Sequence, residues 1–381
     1  MPMRIHSLLI AVVLATTSAS GATFTFTHAG TPPDAQAAIE QAGDIWGGIL
    51  ESEVPIKVRV WWFPLGSAAL GVTFPNGRKD FTGAPVEATW YATALANSIT
   101  GQELNPGEND MDIYLNSGTN WYTGLDGDPA PGQYDLVTIA LHEIGHGLGF
   151  VGLAKKEGAT GSFGLLEMAD FSPLTTSFPW PQQDTLPGIF DTFLTNAQGT
   201  VLASLENPSS PLGSAFTSNQ VYWNGGFGLA GSNGTPVRIY APSAFALGSS
   251  CVHLNEATYP AGNANELMTP FGTAGQANHW PGPIALGILR DIGWTLQEWV
   301  SVQTLDTDEG PWAYPNPIGD VVHLVPIDGL PTLLVVRDVQ GRLMFSRAVD
   351  HELDASGWPS GTFLVERHTA VSVQRTMLVK P

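Results

Sequence analysis

The chain has 381 residues, of which 13% are charged, with a formal net charge of −20, 43 glycines and 29 prolines. That length and composition suit two or three loop-rich globular domains and exclude both a disordered chain and a small disulfide-stapled scaffold. The acidity repels nucleic acid and anionic membrane surfaces, and a single cysteine, Cys251, excludes any disulfide within the chain.

The first residues, "MPMRIHSLLIAVVLATTSASGA", place Arg4 and His6 before an apolar run from Leu8 to Ala15, followed by small residues suited to cleavage. This reads as a secretory signal over residues 1–21, because the apolar run is well short of the ~20 residues that span a bilayer. No later segment is long and apolar enough to span, so no integral membrane segment is expected in the mature form. Next, "TPPDAQAAIEQAGDIWGGILES" has Ala38, Ile39, Ala42, Ile45, Trp46, Ile49 and Leu50 at helical spacing, with Asp34 placed to cap the start. "VPIKVRVWWF" alternates and is rich in β-branched residues, which predicts a strand. After an irregular glycine-rich stretch, "DMDIYLNS" predicts a second, with Met111, Ile113 and Leu115 on one face. Then comes a helix in "YDLVTIALHEIGHGLGF", so residues 22–300 read as an α+β domain in which a helix lies across a twisted sheet.

Residues 153–250 are rich in Pro, Gly, Ser and Phe and show little periodicity; they read as a large irregular insertion packed on one side of the site. "PGPIALGILRDIGW" returns to helical spacing. Residues 301–312 are polar and acidic, a linker. Beyond it, from 313 to 381, five β-like runs spaced about ten residues apart predict a small all-β sandwich, with Gly341 at a hairpin turn.

The chemistry concentrates in "LHEIGHGLGFVG", residues 141–152. On a helix, positions i and i+4 lie about 40° apart, so His142 and His146 project together and can share a zinc ion. Glu143, about 100° away, can reach a water on that metal rather than bind the metal itself. Leu136, Ala140, Ile144 and Leu148 form the opposite, core-facing stripe. Chance places HExxH in a chain of this composition on the order of once in a hundred, so two satisfied core histidines are the weaker explanation.

Catalytic zinc takes three protein ligands, and the pattern HExxHxxGxxH would supply the third. Here the turn glycine is present as Gly149, but Gly152 stands at the third histidine's place and cannot ligate. Downstream, His253 precedes "ELMTP" by fifteen residues to Met268, and a methionine-containing turn after the third histidine is what metzincins place beneath their metal. Glu167 is the rival third ligand, on the pattern in which a glutamate follows from a second helix. Cys251, two residues before His253, is a conceivable fourth ligand but reads better as a buried inert thiol. His279, just before Pro281, reads as a surface turn residue near the cleft. Asp126, Asp128 and Asp135 in "GLDGDPAPGQYD" form an oxygen-rich loop able to hold Ca2+, though a solvated acidic loop is the simpler account.

Taken together, His142 to Phe150, His253, "NELMTP" and "LRDIGW" resemble the leishmanolysin-type metzincins, which separate HExxHxxGF from the third histidine by a long insertion. The resemblance covers roughly residues 130–295 and lacks the family's cysteine framework. It implies a metzincin-like fold, Zn2+ held by His142, His146 and His253, Glu143 as general base, Met268 in the Met-turn, and hydrolysis of extracellular proteins or peptides. Residues 313–381, with "AYPNPIGD", "VRDVQG", "LDASGWPSG" and a terminal Lys380, resemble the C-terminal sorting domain of type IX secretion. That resemblance implies a partner in the type IX export machinery and a secreted or cell-surface location on a Gram-negative bacterium. The second function class is a secreted adhesin on a degenerate peptidase scaffold, whose twelve tryptophans and aromatic insertion would line a carbohydrate or protein surface.

Overall fold

A computed structural model describes residues 21–66, 69–172, 174, 184–297, 312–325, 333–338, 343–348, 351–368 and 373–381. The chain divides into two compact units, Met1–Glu298 and Trp299–Pro381. Apart from Gly21 and Trp312, the signal and linker readings fall outside the described residues, as does the Gly341 turn. No helix among the described residues is long and apolar enough to cross a membrane.

The first unit is α+β. It opens with β1 (Phe24–Ala29), α1 (Pro33–Gly47), β2 (Ile56–Phe63), β3 (Gly71–Pro75), β4 (Gly77–Lys79), β5 (Trp90–Ala92), α2 (Thr93–Thr100) and β6 (Met111–Asn116). Four of these strands make the main sheet in the order β1-β2-β6-β3, with β1 and β2, and β2 and β6, parallel and β3 antiparallel on the edge. Alternation sorts the side chains: Ile56, Val58 and Val60 join Met111, Ile113 and Leu115 in the helix-covered core. The other face carries Trp61 stacked on Tyr114 and the Arg59–Asp112 ion pair.

Helix α1 buries Ala38, Ile39, Ala42 and Trp46. Asp34 is not its cap as expected. The N-cap is Pro32, because Pro33 suits the first helical position, where its fixed φ fits and its missing N–H costs nothing. Asp34 falls in the first turn and accepts instead from Thr123 Oγ1 at 3.1 Å. Trp46 ties α1 to the helix that carries His142 and His146 by donating from its indole N–H to Leu141 O at 2.9 Å.

Next come β7 (Trp121–Tyr122), paired parallel with β8 (Tyr134–Asp135), and α3 (Leu136–Gly147). The stretch expected to be an irregular insertion contains the hairpin β9 (Ala154–Glu157) and β10 (Thr160–Phe163). It also holds β11 (Leu194–Asn196), α4 (Ser210–Ala215), β12 (Val221–Trp223), α5 (Gly226–Gly231) and β13 (Val237–Ile239), in which β11-β12-β13 form an antiparallel sheet. Three-residue strands are too short to show a hydrophobic period, which is why the sequence reads as irregular. Nor is this segment an appendage: Phe190, Leu194, Val221, Trp223, Val237 and Ile239 share the core of the main sheet and helices. Helix α6 (Pro283–Ile292) locks it there, since Asp291 accepts from Trp223 Nε1 at 2.8 Å and from the N–H groups of Phe227 and Gly228 at the start of α5.

In the second unit the described elements are all strands: β14 (Ala313–Tyr314), β15 (Val321–Leu324), β16 (Leu333–Asp338), β17 (Leu343–Ala348), β18 (Glu352–Asp354), β19 (Gly361–His368) and β20 (Val373–Lys380). They form two antiparallel sheets, β14-β15-β18 and β17-β16-β19-β20, and Val322, Leu324 and Leu353 of the first share a core with Leu334, Val336, Phe363, Val365 and Leu378 of the second. The Asn of "YPNP" has a structural task. Asn316 Nδ2 donates to Met377 O and its Oδ1 accepts from Val379 N, both at 2.9 Å, so one side chain satisfies the edge of β20.

Candidate metal centre

Helix α3 starts on Asp135, whose carboxylate accepts from Thr138 N at 2.7 Å as an N-cap. Its apolar stripe, Leu136, Ala140, Ile144 and Leu148, is fully buried. Two glycines let the helix be approached closely. A side chain at Gly147 would strike Met111 Sδ at 2.1 Å, and one at Gly145 would meet Met268 Sδ at 2.9 Å. Past the helix end, Gly149 turns the chain with φ 112°, a left-handed conformation that favours glycine. Phe150 is thereby brought back so that its carbonyl accepts from His146 Nδ1 at 2.6 Å.

The structure brings His142, His146 and His253 together. The Nε2 atoms lie 3.0 Å (142 to 146), 3.1 Å (146 to 253) and 3.3 Å (253 to 142) apart. Each Nδ1 faces a backbone carbonyl: Leu267 O for His142 at 2.6 Å, Phe150 O for His146, and Ser249 O for His253 at 2.9 Å. A carbonyl only accepts, so each Nδ1 carries the hydrogen and each Nε2 presents a lone pair. Burial pushes all three imidazoles below the ordinary histidine range, His253 to about 3 with a contribution from His142, which keeps them neutral.

Three neutral nitrogens aimed at one buried point, with no donor between them, fit a cation. Tetrahedral zinc with bonds of about 2.05 Å needs nitrogens about 3.3 Å apart, close to the spacings seen. The carbonyl partners are the outer contacts that fix ligand tautomer and ring orientation in metal sites.

The turn at Leu267 and Met268 binds the trio into one assembly. Leu267 O holds His142, Met268 packs on α3 at Gly145, and Met268 O accepts from Leu254 N, next to His253, at 2.8 Å. His253 enters from a tight turn in which Cys251 has φ 66° and donates its N–H to Tyr240 O. Cys251 itself is fully buried, its thiol pushed up by burial and by Asp191. It is not among the converging ligands.

Glu143 is 4% exposed, and its Oε2 accepts from Thr73 Oγ1 of β3 at 2.7 Å. Burial pushes its carboxyl up to about 7, against the lowering effect of the Thr73 bond. Glu143 and the three histidines line a cavity of about 730 Å³. Its walls are β3 on one side, Val151–Ala154 on another, and Glu266–Asn278 beyond, with no lysine or arginine among the described lining residues.

The other sequence candidates are placed elsewhere. Glu167 is exposed and caps the short helical turn at Met168–Phe171, its N–H bonded to Asp170. His279 is not a free surface turn residue: its side chain is only 15% exposed and its Nε2 bonds Asp135 Oδ1, the α3 cap, at 2.8 Å. Among the described residues, the carboxylates of Asp126, Asp128 and Asp135 do not converge on one point as the three histidines do. Among the described residues the three histidines are the one group of three or more His, Cys, Asp or Glu side chains whose donor atoms all fall within 4.8 Å. Asp126 is instead taken by the Tyr122 hydroxyl. Gly152, which stood where a third ligand was missing, has a positive reason to be glycine: a Cβ there would lie 2.4 Å from the buried Asp191 Oδ1.

Sequence reading missed Thr73, Asp191 and the three carbonyls that orient the imidazoles. None stands in a motif, and Thr73 is seventy positions from the glutamate it touches. No protein-family model matches this chain, and no curated protein matches it.

Proposed function

We propose that this protein is a zinc-dependent endopeptidase of the metzincin type, acting on extracellular proteins or peptides. The observation that carries the reading is the convergence of three neutral imidazole nitrogens beside a buried carboxylate at the base of an open cleft. A half-exposed edge strand, β3, beside the helix that carries His142 and His146, the Gly149 turn and the Met268 turn support the same assignment.

When bound, zinc polarises a scissile carbonyl and lowers the pKa of water toward ~7. The chain's own residues supply the rest. His142, His146 and His253 are locked through Nδ1, so that their Nε2 atoms stay convergent without reorganisation. Glu143 accepts the proton of the attacking water and passes it to the leaving nitrogen. Among the described residues, β3 pairs with a neighbouring strand on one side only. Asn116 N bonds Leu70 O, so by antiparallel alternation Val72 and Phe74 bond β6, while the backbone groups of Gly71 and Thr73 point off the sheet into the cleft. An extended peptide can pair there as an added strand, which favours protein over small-molecule substrates.

The direct test is metal analysis of the purified chain with a casein cleavage assay. We expect about one zinc per chain, chelator-sensitive hydrolysis, and a Glu143→Ala variant that keeps zinc and loses turnover. Unchanged turnover in that variant refutes the role of Glu143. A clean wild-type preparation that holds no zinc and binds a glycan refutes the peptidase in favour of the adhesin.

The C-terminal unit we assign to recognition by type IX secretion machinery, placing the product in the medium or on the surface of a Gram-negative cell. Removing residues 313–381 should then trap the protein in the periplasm, and unimpaired export would sink the assignment.

A further inference from the structure

The proposed base is held from a part of the chain that carries no motif. On β3, residues two apart share a face, and Gly71 and Thr73 both face Glu143. The Thr73 hydroxyl donates to Glu143 Oε2 at 2.7 Å. Gly71 leaves the space for the rest of the group: a Cβ there would lie 2.6 Å from Glu143 Oε1 and 2.8 Å from Cδ and Cγ. Gly71 is not among the glycines with positive φ, so its backbone tolerates alanine and the glycine serves space alone.

The geometry points to β3 as a seat for the Glu143 carboxylate, with Thr73 and Gly71 acting as positioning residues for proton transfer. The inference rests on the peptidase reading above. A glutamate side chain has free terminal rotation. Thr73 removes it by engaging Oε2, which leaves Oε1 for the proton, and Gly71 admits the carboxylate flush against the strand. The same strand that offers backbone groups to the substrate therefore sets the base relative to it. A proton acceptor works only within about 2.6–3.2 Å of the donor heavy atom, so a carboxylate free to swing is out of place much of the time.

The test uses the full chain. In zinc-loaded protein, Thr73→Val should lower kcat roughly 10- to 100-fold, the value of an oriented bond to a charged group, with KM little changed. Thr73→Ser, which keeps the hydroxyl, should restore most of the loss, and Gly71→Ala should lower kcat without releasing zinc.

A second readout needs no substrate or metal: melting temperatures of Thr73→Val and Gly71→Ala, each alone and in a Glu143→Ala background. The seat predicts coupling. Gly71→Ala should destabilise the wild type and cost little once the carboxylate is gone, and Thr73→Val should become neutral there. Additive melting shifts overturn the contact, and coupled shifts with unchanged kcat overturn the positioning role. A wild type that hydrolyses nothing refutes the peptidase reading alone, while the melting cycle still decides the seat.

Discussion

Removing His253 tests the proposed centre most sharply, because it is the candidate ligand that only folding supplies. Three Nε2 lone pairs face one another at 3.0–3.3 Å with every Nδ1 hydrogen committed elsewhere. Zinc should therefore bind the folded state alone and raise its melting temperature. At a free zinc concentration a thousand times Kd, linkage contributes about 4 kcal/mol. The unit Met1–Glu298, at ~2.1 cal/mol/K per residue, has an unfolding entropy near 0.6 kcal/mol/K, so the rise is about 7 °C. In His253→Ala two nitrogens remain. If affinity falls about a thousandfold, the same zinc concentration sits at Kd, and the gain shrinks to about 0.4 kcal/mol, under about 1 °C.

The assay is calorimetry or tryptophan fluorescence melting, with zinc and with chelator, on both proteins. An undiminished zinc shift in His253→Ala, or its loss in Glu167→Ala instead, refutes the three-histidine centre. The pH sign is fixed as well. These imidazoles have folded pKa values below the ordinary 6.5, so the unfolded chain takes up protons first as pH falls. Their contribution is full above about pH 6.5 and is lost as pH falls toward the folded value, about 3 for His253.

Three further outcomes follow from other parts of the fold. Asp191 is fully buried, its carboxyl pushed up to about 7 by burial although the N–H groups of Leu153 and Gly188 pull it down. Its stabilising contribution is full below about 3.8 and lost as pH rises to about 7, so Asp191→Asn should flatten the pH dependence of unfolding free energy between about pH 4 and 7, a span on the order of a few kcal/mol; an unchanged slope refutes this. Gly152→Ala drives a methyl against Asp191 Oδ1 and should cost about 1–3 kcal/mol in a denaturant titration, whereas a neutral result would show that Val151–Ala154 yields easily. Asn316→Ala removes both edge bonds to β20. It should destabilise the second unit by about 1–2 kcal/mol in thermal melts of the full chain, and wild-type melting would show the edge needs no cover.

Local chemistry was legible in the sequence alone. Helical spacing fixes His142 and His146 on one face of α3 and Leu136, Ala140, Ile144 and Leu148 on the other, because both follow from 3.6 residues per turn. Alternation likewise marks β2 and β6. The methionine turn and the third histidine were legible only through resemblance, since no period links residue 253 to residue 146.

Tertiary structure alone decided the rest. It set which of His253, Glu167 and Cys251 meets the pair, and gave Gly152 its reason through a carboxylate 39 positions on. It placed Thr73 and Gly71 on the glutamate and folded residues 153–250 into the common core. Each of these is a contact between segments far apart in the chain, fixed by the packing of sheet edge, turn and helix rather than by any preference that neighbouring residues carry along the chain.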